Sequence, residues 1–171
     1  MGADTLSLSA HKFGGPQGIG ALFIASDLPW ALRARSFGVG QEGGLRSGTV
    51  PAPLCAAFGA AAEYQFTSGD RQREIMASMK QEVIERLMAS ISELRLTVSH
   101  MQVHPGCLSI FIPGVKGADI AQVVSPEVSI GHGSACNSLS IERSHVIASL
   151  GIENSIEDEP IRISFSEFST E

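Results

Sequence analysis

Residues 4–9 (DTLSLS) alternate polar and apolar positions, with Leu6 and Leu8 on one face, and this predicts a short strand. The apolar run at 21–25 (ALFIA) predicts a second, buried strand. The AHKFGGPQGIG segment between them, with four glycines and one proline, closes the pair as a hairpin. Leu28 to Arg35 suggests one or two helical turns, and a second glycine-rich loop follows at 38–49. Thr49, Pro51 and Pro53 then open an alanine-rich helix to about Phe66, because proline suits a first turn whose N–H groups lack helical partners. That helix is apolar nearly all round, which predicts burial. Asp70 is placed to cap a further helix. In it Ile75, Met79, Val83, Leu87 and Ile91 recur every four residues, with Met76, Ile84 and Met88 beside them and charges on the other face.

Beyond Leu94 the pattern shortens. Strands are expected at 96–98, 108–112, 128–130 and 162–165, with helices at 118–124 and 144–150. Strands mixed with helices predict a layered α/β or α+β chain. The polar run TSGD at 67–70 marks a seam, so the expected domains are 1–65 and 66–171.

Composition narrows the function classes. The chain has 171 residues, of which 43% are hydrophobic, enough for a packed core. Lys+Arg 12 against Asp+Glu 18 gives 12 − 18 = −6, a poor footprint for nucleic acid or an anionic membrane. Apolar runs such as GIGALFIA fall well short of the ~20 residues that span a bilayer. With no charged-then-apolar leader and three cysteines, free thiols in a cytoplasmic, reducing setting are expected.

Three glycine-rich loops carry candidate chemistry. In Ser9-Ala10-His11-Lys12, a lysine at a strand end is positioned; if partly desolvated, such an amine attacks carbonyls. Ser9 and His11 can donate to an anion such as phosphate. A surface lysine at a hairpin turn is the plain alternative. The second loop, Gly38-Val39-Gly40-Gln41-Glu42-Gly43, matches G-x-G-x-x-G but lacks the strand–turn–helix setting of a dinucleotide site. The adjoining Arg46-Ser47-Gly48-Thr49, at an expected helix start, is either an anion site or ordinary capping. In the third, Gly131-His132-Gly133-Ser134-Ala135-Cys136-Asn137-Ser138, small polar residues flank a candidate nucleophilic thiol. Cys55 and Cys107 sit in apolar sequence and read as packing residues. His132 raises a Cys–His reading that spacing alone does not establish. His100, His104 and Cys107 match no closed metal site, and Glu157-Asp158-Glu159 reads as a solvated turn.

The segments SLSAHKFGGPQGIGAL, GQEGGLRSGT, GHGSACNS and IRISF, in that order, resemble the C-terminal part of the cysteine desulfurases. These are class V aminotransferase-like enzymes that use pyridoxal 5'-phosphate (PLP). The resemblance implies the α/β fold of a PLP-dependent transferase of fold type I, here a remnant of the large domain plus the small α+β domain. It implies that Lys12 carries PLP and shuttles protons, that Ser9 and His11 hold its phosphate, and that Thr49 is a phosphate ligand supplied across a homodimer interface. It makes Cys136 the nucleophile that takes sulfur from L-cysteine as a persulfide, releasing alanine, and Arg162 the clamp on the substrate carboxylate. A sulfur-acceptor or iron–sulfur scaffold protein is the implied partner. No metal site is implied beyond a transient iron–sulfur contact at Cys136.

The family is more than twice this length, and its N-terminal part carries most of the cofactor site. The isolated chain is therefore expected to be inactive alone. Val39, His132 and Asn137 also depart from the family's usual residues. A catalytically silent dimerisation or docking module, a selenocysteine lyase-like enzyme, and a PLP-independent thiol enzyme built on Cys136 and His132 are the other readings.

Overall fold

The computed structural model describes residues 2–98, 103–133, 145–149 and 159–169. The chain divides into two compact units, Met1–Gly69 and Asp70–Glu171. In the first, strands β1 (Thr5–Ser9) and β2 (Gly20–Ile24) pair antiparallel, from Thr5 opposite Ile24 to Ser9 opposite Gly20. The hairpin expected from the alternation is present. Its faces are not covered: Leu22 and Phe23 are each 52% exposed. A two-stranded ribbon offers too little apolar area to bury its own side chains, so the buried strand expected at 21–25 is half-exposed.

No helix forms at 28–35. Pro29 disfavours helical backbone at Leu28, whose N–H instead closes a turn on Ala25 O at 3.4 Å. The two helices expected after Thr49 are one, α1 (Ala52–Ser90). No proline lies between Pro53 and Ser90 to interrupt it. Asp70 does not cap a new helix but pairs with Arg73 one turn further on. The alanine-rich first part is also not buried as expected. Cys55 and Phe66 are exposed, because the described residues of the first unit offer mainly a narrow ribbon and loops to pack on it.

Among the described residues, the second unit contains a four-stranded antiparallel sheet of order β3-β4-β6-β5. Its strands are β3 (Arg95–Leu96), β4 (Cys107–Phe111), β5 (Gly131–His132) and β6 (Ile161–Ser164), with helices α2 (Gly117–Val124) and α3 (His145–Ser149). β3 ends earlier than the expected 96–98, yet the Thr97 N–H still donates to Ser109 O at 3.0 Å. The strand expected at 128–130 is displaced to 131–132. The Val128 N–H folds back onto Val124 O at 2.8 Å, and the open edge of β6 pairs with Gly131 and His132.

The core of this unit joins the second half of α1 to the sheet through Ile84, Leu94, Leu108, Ile110 and Ile161. The four-residue apolar period of α1 is what aims Ile84 and its neighbours inward. Lys80, on the same helix, is 3% exposed, and its ammonium donates to the carbonyls of His104 (3.3 Å) and Cys107 (3.5 Å). Burial pulls its pKa below the usual lysine value, with the nearby Cys107 acting in the opposite sense. Among the described residues no helix is long and apolar enough to cross a membrane.

Candidate functional site

Ser9 ends β1, and the chain turns at once into a single 3-10 turn, Ala10–Lys12. Three hydrogen bonds pin this turn at Ala10, which is fully buried. The Ala10 N–H donates to Ile19 O (3.1 Å), and Ala10 O accepts from Phe13 (3.1 Å) and Gly15 (2.9 Å). The glycines are required by close approach. A Cβ at Gly15 would lie 2.8 Å from the Ala10 Cβ, and one at Gly20 would lie 2.6 Å from Leu8 O. Phe13 then meets Phe58 of α1 edge-on, ring centroids 5.2 Å apart. The turn thus brings Ser9, His11 and Lys12 together on a short, braced segment. All three are exposed, so the desolvation that would activate Lys12 is not supplied by the described residues around it.

Thr49 lies outside that turn in sequence, at the end of the second glycine-rich loop. It lines a groove of ≈ 770 Å³ together with Leu8, Gly20, Arg46, Cys55 and Phe58. The expected helix start at Ser47–Thr49 is displaced to Ala52. The backbone N–H groups of Ser47 and Gly48 are engaged by Ser36 Oγ and Gln41 Oε1, both at 3.3 Å, so they are not open to an anion. Glu42–Gly44 forms a short 3-10 turn with no strand before it, so the G-x-G-x-x-G match has no dinucleotide-site geometry.

Arg162 lies on β6, opposite Ser109 of β4 on one side and Gly131 of β5 on the other. Its guanidinium reaches back over Gly131, where an added Cβ would sit 3.5 Å from Nη2. The exposed arginine fork thus lies beside β5. Cys136, like Ser134, Asn137 and His100, lies outside the described residues. Of the loose metal trio, the described His104 uses Nδ1 to accept the Gly106 N–H at 3.0 Å.

Glu159, read from sequence as part of a solvated turn, is instead anchored. Its Oε2 accepts the Ala118 N–H at 2.8 Å, and its Oε1 accepts from His132 Nδ1 at 3.2 Å. The signal was legible only in part. Helix α2 starts with Lys116 at its N-cap and no side-chain cap of its own, so its first N–H groups call for a carboxylate from elsewhere.

A hydroxyl, an imidazole and an amine within four consecutive residues suit a phosphorylated aldehyde such as PLP, for which the amine is the covalent partner and the other two are phosphate donors. The aminotransferase class-V family model matches residues 1–171. A cysteine desulfurase of Rattus norvegicus is 32% identical over all 171 residues, and the chain spans 38% of that relative's length. Among solved structures, a NifS-like protein superposes with a TM-score of 0.83 at 26% identity, over 99% of this chain and 42% of the other. SspA in complex with cysteine gives a TM-score of 0.71 at 29% identity, over 98% and 45%.

Proposed function

The chain belongs to the aminotransferase class-V family, and from that premise we propose that it is a cysteine desulfurase polypeptide carrying the lysine, the sulfur-accepting cysteine and the carboxylate clamp of the reaction. The observation that carries this reading is the placement of Ser9, His11 and Lys12 on one braced turn. Ser9 and His11 would hold the phosphate of PLP, Lys12 its aldehyde carbon, and Thr49 a phosphate oxygen in a homodimer. When bound, PLP supplies an electron sink for bonds at the substrate's α-carbon.

The chain's own residues do the rest. Arg162 orients L-cysteine by its carboxylate, for which a planar fork is suited. Lys12 moves a proton at the substrate. The Cys136 sulfur attacks the substrate sulfur, the substrate's C–S bond breaks and an S–S bond forms. L-Cysteine and the thiol become alanine and a persulfide, which a sulfur-acceptor or iron–sulfur scaffold protein receives. Because the chain spans 38% of the rat relative, turnover by this chain alone is expected to be absent and to require a complementing polypeptide.

The test is to incubate the chain with PLP, reduce with borohydride and map the modified lysine by mass spectrometry. Preferential labelling of Lys12 over Lys80 and Lys116 is expected. Labelling scattered over the lysines would overturn the reading and favour a second one, a docking module for a longer relative. The half-exposed Leu22 and Phe23 on the ribbon are what favour that second reading.

A further inference from the structure

Two aromatic residues have no part in the roles assigned above, and one of them is the sequence neighbour of Lys12. The backbone hydrogen bonds that hold the lysine turn converge on Ala10, on the N-terminal side of Lys12. On the other side Phe13 leaves the helical region, at φ −135° and ψ 31°. Gly14 follows at φ +89° and Gly18 at φ +87°, backbone with wide conformational freedom of its own. What meets this side of the turn is the edge-on contact of the Phe13 ring with Phe58 of α1, centroids 5.2 Å apart and planes at 90°.

Phe58 is built to be an anchor. From Ala52 to Ala60 every residue is exposed except Leu54 and Phe58, which lie four residues apart on one face of α1. The start of the helix is fastened to the residues before it. Pro51 O accepts the N–H groups of Leu54 at 2.9 Å and Cys55 at 3.1 Å. Phe58 also lines the groove that Leu8 and Thr49 share. One ring thus connects the lysine turn to the helix. Edge-to-face packing sets the positive edge of one ring against the negative face of the other, so it fixes an angle as well as a distance. An aliphatic side chain of similar volume fills the space but fixes no angle.

We propose that Phe58 is a positioning residue for Lys12. Acting through Phe13, it holds the turn in the conformation that presents Ser9, His11 and the Lys12 amine to one small molecule. In a loosened turn the amine is aligned only part of the time with an aldehyde whose phosphate Ser9 and His11 hold. Its capture of that aldehyde then slows in proportion. This deepens the reading of Lys12 as the PLP-bearing residue and rests on it.

The test compares PLP with pyridoxal, the same aldehyde without its phosphate. The full chain is incubated with each and reduced with borohydride. Label at Lys12 is then read by mass spectrometry relative to Lys116, which lies in the second unit. In the wild type PLP should favour Lys12 and pyridoxal should not. An edge-to-face pair is worth a factor of about 2 to 10 in the population it holds, so Phe58→Leu should cut the PLP preference about fivefold. Phe58→Tyr keeps the ring and should stay within twofold of the wild type. Pyridoxal labelling should be the same in all three, which a general loosening around Lys12 would not leave unchanged. A PLP preference in Phe58→Leu within twofold of the wild type, or an equal loss in Phe58→Tyr, overturns the proposal.

Amide exchange in β1 and β2 shows whether the ribbon survives each substitution. Where it does not, the wild type decides by NMR. Nuclear Overhauser contacts between the two rings, with a protected Phe13 amide, support the proposal, and their absence overturns it. A wild type with no PLP preference at Lys12 overturns the desulfurase reading and this proposal with it. A preference that Phe58→Leu leaves intact overturns the role of Phe58 alone.

Discussion

The carboxylate of Glu159 accepts the backbone N–H of Ala118 at 2.8 Å, across 41 residues of sequence. It serves as the cap that α2 does not carry on Lys116. Glu159→Ala should therefore cost about 1 kcal/mol of the second unit's stability, the usual loss for a missing cap. Urea unfolding of wild type and variant measures it. An unchanged midpoint would mean that water replaces the carboxylate without loss.

The lysine turn depends on a close backbone approach at Gly20. Its added Cβ would stand 2.6 Å from Leu8 O, a contact that backbone must move to relieve. Gly20→Ala should destabilise the ribbon by about 1–3 kcal/mol. It should also speed hydrogen exchange of the Ala10 N–H, which the same approach holds against Ile19 O. Gly59→Ala is the contrast. Nothing lies within 4 Å of its added Cβ in mid-helix, so about 1 kcal/mol of stabilisation is expected.

Lys80 makes stability depend on pH in a defined sense. Its folded-state pKa is lowered by burial, while the unfolded chain titrates at the ordinary lysine value. Between the two, the unfolded state holds the proton and the folded state has lost it, so stability contributed at this site rises with pH. The rise begins at the lowered pKa, ends at the ordinary value, and cannot exceed about 1.4 kcal/mol per pH unit. Denaturant melts of wild type and Lys80→Met, at neutral pH and in the alkaline range below 10.5, should show the wild type gaining relative to the variant. A pH-independent difference would contradict it.

Leu108 sits at the centre of the second unit's core, 2% exposed beside Ile84 and Ile110. Leu108→Ala should cost about 2–5 kcal/mol, the transfer term plus the cavity left behind. Thermal and urea unfolding of the variant give the figure directly. A cost below 1 kcal/mol would show that the sheet collapses to fill the space.

Local pattern located most of the elements. Leu6 and Leu8 at period two placed β1, and the four-residue spacing from Ile75 to Ile91 placed the half of α1 that builds the core. Boundaries that depend on what lies opposite were not local. β5 sits at 131–132 because β6 offers Ile161 and Arg162 to pair with, and nothing in Val128–Ile130 announces that. The merging of two expected helices into α1 had a local origin instead. The polar run at 67–70 looked like a break, but no residue in it forbids helix, and Asp70 found its partner in Arg73 on the same helix.

The same division runs through the chemistry. Sequence by itself determined which reactive groups the chain owns, and it set Ser9, His11 and Lys12 side by side, because residues adjacent in a tight turn cannot be far apart. Only the tertiary structure decided that Thr49 lines a groove together with Leu8 and Gly20, that Arg162 leans over Gly131, and that Glu159 joins His132 to the start of α2. Those relationships join residues 27 to 41 positions apart. The free energy that fixes them comes from a helix end needing an acceptor and a sheet edge needing a partner, and neither demand is written at the positions that meet it.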